Sequence, residues 1–131
     1  MRQVIQLYTF SSCTSCRKAR DILKDNQIPF KERNMNTDPL SESEVFHLLG
    51  YTTNGTTDIM SKRSQDVKDL NINVEELSLN KWVELVGKHP GMLRRPLLLT
   101  DNQLIVGYNK EEYEGLIKKY NTRMNKEAVC S

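Results

Sequence analysis

Two cysteines, Cys13 and Cys16, stand in a C-x-x-C arrangement where an apolar segment gives way to a helical pattern. Residues 4–10 predict a buried strand, and the helix begins directly after it. The first turn of a helix has unpaired N–H groups and a partial positive charge, which stabilise a thiolate placed there. A C-x-x-C pair in a βαβ pattern is typical of redox proteins, so the sequence predicts a redox-active thiol pair.

The two cysteines are predicted to differ in exposure. Cys16 shares a helix face with Ala19 and Leu23, a spacing that indicates contact with the core. Cys13 lies at or just before the helix start and should be exposed. We therefore expect Cys13 to be the attacking thiol and Cys16 the shielded, resolving one. Three cations in the next turn should favour the thiolate further: Arg17, Lys18 and Arg20.

A structural zinc site is one alternative for the pair, and chemically inert cysteines are another. A structural zinc ion requires four ligands, and the remaining candidates in the chain are His47, His89 and Cys130. These three residues form no second paired spacing. The position between strand and helix therefore favours the redox interpretation, with no metal and no cofactor.

Length and composition limit the classes of protein to which the chain could belong. With 131 residues it is expected to form one domain, and a net charge of +2 argues against stand-alone DNA binding. The N-terminus lacks the pattern of a signal peptide, and no apolar run approaches the roughly 20 residues of a membrane span. We expect a cytoplasmic protein without membrane contact, in which the thiols rest reduced and can respond to oxidants.

The predicted elements follow the order β-α-β, a helical insertion, then β-β-α. The first helix should end near Asn26, a second strand covers residues 28–34, and the insertion covers residues 41–91. Residues 97–100 and 104–108 predict an antiparallel hairpin, and a last helix runs from Lys110 to about Tyr120. This order predicts an α/β, thioredoxin-like fold with a helical insertion. The domain would comprise residues 1–120, with residues 121–131 a polar, mobile tail.

Three helix starts are predicted inside the insertion. Ser41 and Glu44 form an S-x-x-E capping box before an apolar helical run. Asp58 is expected to cap a short helix over residues 59–64, and Ser78 to cap the helix that contains Trp82. Trp82 is expected to be a core residue.

Two arginines are candidates to face the thiols. Arg95 precedes Pro96 at the start of a strand that should lie beside the first one. In thioredoxin-like folds a proline at this place is often cis and faces the thiol pair. Arg95 would then lie near Cys13, where a cation lowers a thiol pKa or binds an anion. Arg63, in the insertion, could also turn inward; an ordinary surface position is the alternative for both arginines.

Six motifs taken together resemble the Spx family, a group of redox-responsive regulators within the larger ArsC-like family. The similarity covers about residues 4–120. The motifs are Cys13-Thr14-Ser15-Cys16-Arg17-Lys18-Ala19, Glu32-Arg33-Asn34, Asn54-Gly55-Thr56, Arg63-Ser64, Leu93-Arg94-Arg95-Pro96 and Val106-Gly107-Tyr108-Asn109.

The resemblance implies a regulator and not an enzyme. Proteins of this family bind the C-terminal domain of the RNA polymerase α subunit and reach promoter DNA only through the polymerase. Oxidation of the motif that matches Cys13 and Cys16 switches on thiol-homeostasis genes, and the proteins hinder contacts between some activators and the polymerase. Gly55 falls at the glycine implicated in the polymerase contact, Arg95 at the arginine linked to the oxidised, active state, and Arg63 at an arginine of the ArsC-like fold.

The sequence departs from the family pattern at two places. Arsenate reductases of the ArsC-like family use three arginines around one cysteine, and the third position is Tyr108 here, which predicts weak arsenate binding. A glutathione- and glutaredoxin-linked arsenate reductase and a general thiol–disulfide oxidoreductase remain the alternatives. Many family members end in Leu-Ala-Asn, which the ClpXP protease and its adaptor recognise, whereas this sequence ends in Ala128-Val129-Cys130-Ser131. ClpXP is thus a partner that the family implies and the tail does not match.

Overall fold

A four-stranded mixed sheet lies at the centre of the molecule. A computed structural model of the chain describes residues 4–62, 64–71, 73 and 76–130, with side chains to residue 125. The sheet has the order β2-β1-β3-β4, in which β1 is parallel to β2 and antiparallel to β3, and β3 is antiparallel to β4. The strands are β1 (Ile5–Thr9), β2 (Phe30–Asn34), β3 (Leu97–Leu99) and β4 (Leu104–Val106).

The helices follow the strands in the order that the sequence pattern predicts. Those in the described ranges are α1 (Thr14–Asp25), α2 (Glu42–Leu49), α3 (Thr56–Ile59), α4 (Gln65–Leu70), α5 (Leu79–Lys88), α6 (Lys110–Cys130) and a 3-10 helix at Pro90–Met92. The order is therefore β-α-β, a helical insertion, then β-β-α, which confirms the predicted thioredoxin-like fold with its insertion. Within the described part of the chain, no helix is both long enough and apolar enough to cross a bilayer.

The central strands β1 and β3 separate two hydrophobic clusters. Successive side chains of a strand point to opposite faces of the sheet. Tyr8 and Phe10 pack with the insertion, including the fully buried Trp82, whereas Ile5 and Leu7 pack with helices α1 and α6. Because both faces of β1 are covered, its sequence is a nearly continuous apolar run, and the cysteines follow directly after its buried C-terminal end.

The predicted helix starts at Ser41 and Ser78 are confirmed. The Ser41 hydroxyl accepts the Glu44 N–H, and the Glu44 carboxylate accepts the Ser41 N–H, which completes the capping box of α2. The Ser78 hydroxyl accepts the Lys81 N–H at the start of α5. Each such cap contributes about 1 kcal/mol to stability, so the insertion has defined boundaries.

Two predicted boundaries are wrong. Helix α3 begins at Thr56 and ends at Ile59, and Asp58 lies inside it instead of capping a helix over residues 59–64. The reason is that the Asp58 carboxylate closes the preceding loop, by accepting the N–H groups of Thr53 and Asn54. Helix α6 continues past Tyr120 to Cys130, because residues 121–130 contain neither Gly nor Pro to end it.

Candidate redox site

The two cysteines occupy the junction between β1 and α1. Cys13 is the N-cap residue of α1, Cys16 lies in its first turn, and the structure joins them in a disulfide with Cα atoms 5.2 Å apart. Cys16 is only 1% exposed, whereas Cys13 is partly exposed and packs against the edge of the core. The predicted difference in exposure is confirmed, and Cys13 is the sulfur that a reagent in solution can reach.

The start of α1 provides a polar environment for the Cys13 sulfur. The Cys16 N–H donates a hydrogen bond to Cys13 Sγ at 3.1 Å. The first turn contains no acidic residue, and the neighbouring Arg17 and Lys18 side chains are exposed. In the reduced protein the same N–H and the helix dipole would face a thiolate, which both stabilise. The arrangement thus suits reversible exchange between a dithiol and a disulfide.

Two asparagines from the end of β2 hold the loop that leads to Cys13. The Ser11 N–H donates to Asn36 Oδ1 at 2.7 Å, and Asn34 Nδ2 donates to Ser11 Oγ at 3.1 Å. Asn34 Oδ1 in turn accepts the Asn36 N–H. Ser12, between these contacts and the cysteine, has a φ of +56°, in the left-handed region. The position of Cys13 is therefore set by side chains from the neighbouring strand as well as by its own helix.

Arg20 is paired with Glu32, and is not free to stabilise a thiolate at Cys13 as the sequence predicted. Its guanidinium forms two hydrogen bonds to the Glu32 carboxylate, at 2.6 and 2.5 Å, and Thr9 donates a third. The hydrogen bond from Arg20 is the largest effect that holds the pKa of Glu32 below its usual value. The charge of Arg20 is thus neutralised by β2, and the cations left beside the cysteines are Arg17 and Lys18.

We expect an Arg20→Ala substitution to destabilise the protein mainly above acidic pH. A carboxylate with a lowered folded-state pKa contributes stability that is present above its unfolded pKa and is lost as pH falls through its folded pKa. Removing Arg20 should raise the pKa of Glu32 and cost about 0.5 to 1 kcal/mol at pH 7, because the pair is partly exposed. Urea unfolding at pH 7 and pH 3 checks this: the difference from the parent should narrow at pH 3. A Lys110→Ala control, which removes the exposed pair with Glu114, should show a smaller loss at pH 7.

Arg95 lies beside the end of β1, where it contacts an aromatic ring and two backbone carbonyls. Its guanidinium carbon is 4.0 Å from the centroid of the Phe10 ring, and Nη2 donates to the carbonyls of Gly91 at 2.9 Å and Leu93 at 3.3 Å. Burial lowers its pKa, an effect that the charge of Asp66 opposes. The Arg95–Pro96 peptide bond is cis, as the fold analogy suggested. In this disulfide form, none of its hydrogen bonds to described residues goes to Cys13.

Two further positions were considered from the sequence, Arg63 and Tyr108. Arg63 lies outside the described residues. Tyr108, at the third arginine position of arsenate reductases, packs against Tyr113 with ring centroids 5.1 Å apart. It belongs to the cluster under α1 and α6, on the face of the sheet opposite Phe10 and Arg95.

Gly55 occupies a loop between α2 and α3. Its φ of +77° and ψ of −138° form a combination that is essentially restricted to glycine. A Cβ atom added there would meet no other atom within 4 Å, so the space in front of the residue is open. The predicted partner-binding residue thus lies at an accessible position with a fixed backbone shape.

A short antiparallel connection links the Gly55 region to the segment that contains Arg95. Met60 and Leu93 form an isolated β-bridge. On either side of it, the Arg94 N–H donates to the Ile59 carbonyl at 2.8 Å and the Ser61 N–H donates to the Met92 carbonyl at 2.7 Å. Helix α3 and the arginine segment therefore form one connected backbone unit.

Sequence reasoning missed the positions that join these parts. The sequence pattern indicates only a strand at Phe10 and only a helix start at Asp58, and it predicts no contact for Asn36. The signal for Asn36 was present, since an Asn-x-Asn pattern after a strand is typical of a side chain that bonds a nearby turn. The bonded partner of Asn36 is 25 positions away, which the local pattern does not reveal.

Comparison with known proteins agrees with these features. The family model described as the ArsC family matches residues 8–116. The chain is 47% identical over 109 residues to the global transcriptional regulator Spx of Bacillus subtilis, with 83% of each chain covered. The protein of the same name from Streptococcus pyogenes is 40% identical over 116 residues, which cover 88% of this chain and 87% of that protein.

Solved structures share the fold at low identity. An ArsC family related protein from Bacteroides fragilis superposes with a TM-score of 0.76 at 20% identity, covering 86% of this chain and 96% of the other. An arsenate reductase from Vibrio cholerae gives a TM-score of 0.70 at 17% identity, with 90% and 98% covered. The family match and the close relatives together show that this chain belongs to the ArsC family and, within it, to the Spx group.

Proposed function

We propose that the chain is a cytoplasmic, redox-sensing transcriptional regulator. It binds the C-terminal domain of the RNA polymerase α subunit and contacts promoter DNA only through the polymerase. Formation of the Cys13–Cys16 disulfide activates genes of thiol and oxidative stress, and the bound protein hinders some activators. The observation that carries the proposal is the C-x-x-C disulfide at the start of α1, in a chain whose relatives at 40–47% identity are named global transcriptional regulators.

The sensing step follows from the exposures of the two sulfurs. With a peroxide as oxidant, the Cys13 thiolate attacks one peroxide oxygen, forming a sulfenic acid and releasing water or an alcohol. The Cys16 sulfur then attacks the sulfenic sulfur, which closes the disulfide and releases water. The two thiols lose two electrons and two protons in total, and the peroxide is reduced. Only Cys13 needs to be accessible for this sequence, because the second step is intramolecular.

The readout is proposed to pass through Arg95. In the disulfide form its guanidinium rests on Phe10, three residues before Cys13, and bonds the Leu93 carbonyl. Leu93 is in turn bridged to Met60, next to helix α3 and the Gly55 loop. Reduction would place a thiolate near the end of β1 and offer Arg95 a competing anionic partner, a local charge change that can move the bridged segment.

An Arg95→Ala substitution should therefore uncouple oxidation from transcription. We expect disulfide formation to proceed as in the parent, while activation by the oxidised protein falls about fivefold or more, the size of a typical coupling free energy. The measurement is in vitro transcription, with thiol alkylation to confirm oxidation. A Lys88→Ala control removes an exposed cation of α5 that bonds Glu84, and should leave activation unchanged. If oxidised Arg95→Ala activates as well as the parent, the proposed route is wrong.

One observation favours a second candidate function, arsenate reduction. Arg95 and Lys88 line one cavity of about 350 Å³, and two cations in one cavity suit a small oxyanion. Asp66 lines the same cavity and opposes the binding of an anion. Against it, the third arginine position is Tyr108, which faces the other side of the sheet. Turnover of arsenate with glutathione and glutaredoxin distinguishes the two. We expect a rate no higher than that of a Cys13→Ser variant, and a higher rate would support the enzyme.

Transcription in vitro tests the regulator directly. Purified RNA polymerase from Bacillus subtilis is combined with reduced or oxidised protein on a promoter of a thiol-homeostasis gene. The proposal predicts stimulation by the oxidised form and little or none by the reduced form. Equal transcription with and without the oxidised protein would contradict it.

A further inference from the structure

The loop that contains Gly55 is closed by one carboxylate. Asp58 Oδ2 accepts the backbone N–H groups of Thr53 and Asn54, each at 3.0 Å. Asp58 Oδ1 accepts the side-chain Nδ2 of Asn54 at 3.3 Å. A single acidic side chain thus accepts three hydrogen bonds from the two residues that directly precede Gly55.

These bonds distinguish Asp58 from an ordinary surface aspartate. A carboxylate with two backbone N–H donors on one oxygen fixes the path of the chain, because both peptide planes must face it. Hydrogen bonds from Asn54 are foremost among the causes that hold the pKa of Asp58 below its usual value. The carboxylate is therefore charged at neutral pH, and its bonds are of the stronger, charge-assisted kind.

Asp58 also sits where the loop meets the rest of the molecule. The next residue, Ile59, is fully buried, and its carbonyl accepts the Arg94 N–H. The backbone of α3 is therefore anchored on its C-terminal side, while the Asp58 side chain reaches back over the loop on the N-terminal side. Asp58 therefore lies between the anchored end of α3 and the loop that contains Gly55.

We propose that Asp58 is a positioning residue for partner binding: its carboxylate holds the residues before Gly55 in the shape that the partner recognises. The partner is the one given under the proposed function, the C-terminal domain of the polymerase α subunit, and the inference rests on that function. Asp58 acts through the loop and need not touch the partner itself.

The test compares substitutions of Asp58 in the full chain. Asp58→Ala removes all three bonds and should weaken binding of the purified α C-terminal domain about tenfold, a factor equal to the net contribution of one hydrogen bond to a charged group. Amide hydrogen exchange at Thr53 and Asn54 should accelerate by a similar factor. Asp58→Asn keeps an oxygen acceptor for the two N–H groups and should recover most of the affinity.

A matched control is Asp69→Ala, which removes an exposed helical carboxylate that accepts a side-chain bond from Gln65. It should change neither binding nor exchange in the Gly55 loop. Circular dichroism melting of each variant separates a local effect from unfolding.

The possible results separate this inference from the function on which it rests. If the parent binds the α domain and Asp58→Ala binds equally well, Asp58 is not a positioning residue and the proposed function stands. If the parent fails to bind in either redox state, the proposed function and the partner-binding role of Asp58 both fall. In that case amide hydrogen exchange still tests the loop itself. If exchange at Thr53 and Asn54 is the same in Asp58→Ala as in the parent, the carboxylate does not hold the loop.

Discussion

A Cys13→Ser variant will lose its entire transcriptional response to oxidants. Cys13 is the partly exposed sulfur of the pair, whereas Cys16 is only 1% exposed. Once Cys13 is replaced, Cys16 has no neighbouring cysteine in the first turn of α1 with which to form a disulfide. Without Cys13 the first attack on a peroxide cannot take place at this site, and no disulfide can form there. Transcription in vitro with oxidised variant should therefore equal that of the reduced parent.

The third cysteine of the sequence supplies the control. A Cys130→Ser variant should respond to peroxide as the parent does, because the switch is assigned to the C-x-x-C pair alone. Mass spectrometry after alkylation should find the disulfide in Cys130→Ser and not in Cys13→Ser. A Cys13→Ser protein that still activates after peroxide treatment would refute the assignment of the switch.

A Gly55→Arg variant will lose binding to the polymerase α domain, by about 30-fold or more, the loss typical of a residue at the centre of an interface. The backbone at Gly55 disfavours any other residue, with strain of about 1 to 3 kcal/mol. In addition, the space in front of its Cα is open, so a long side chain would extend into the volume that we propose the partner occupies. Calorimetric titration with the purified α domain measures the loss.

Two smaller substitutions separate backbone strain from bulk. Gly55→Ala carries the same strain with only one added methyl group, and should retain more affinity than Gly55→Arg. Gly87→Ala is the matched control, because Gly87 in α5 also has open space around it but does not have a positive φ. This variant should bind the α domain as the parent does. Parental affinity in Gly55→Arg would show that the partner contacts another surface.

The sequence was most informative where local chemistry decides the structure. The caps at Ser41 and Ser78 depend on bonds to residues three positions away, so a short pattern contains all that is needed. The cysteine pair belongs to the same class, since the strand before it and the apolar face of Cys16, Ala19 and Leu23 are both local signals. The order of elements then left few topologies for a mixed sheet.

Long-range contacts account for the parts that the sequence did not reveal. Arg20 is paired with Glu32 of β2, a contact that no local pattern indicates. The contacts of Arg95 with the Phe10 ring and two backbone carbonyls are likewise set by the tertiary fold. Asp58 satisfied the rule for a helix cap, yet its carboxylate bonds the loop instead of a helix start. A local pattern indicates which residues could form a hydrogen bond or an ion pair, and the tertiary fold determines the partner that each one contacts.

The pathway from thiols to partner surface also depends on tertiary structure. The bridge between Met60 and Leu93 joins segments separated by the whole of α4 and α5, and no periodicity indicates it. This bridge connects the segment that contains Arg95 to helix α3 and the Gly55 loop, and the proposed coupling depends on it. Because Arg95 contacts both Phe10 and the Leu93 carbonyl, we expect its removal to separate sensing from response.

Binding of the purified polymerase α C-terminal domain to the reduced and the oxidised chain tests the central claim most directly. Calorimetric titration of the parent, with Gly55→Arg as the negative control, measures it without promoters or polymerase core. The account predicts binding of the oxidised parent with a Kd of about 1 μM or tighter, and loss of that binding in Gly55→Arg. No detectable binding of the parent in either redox state would contradict the account.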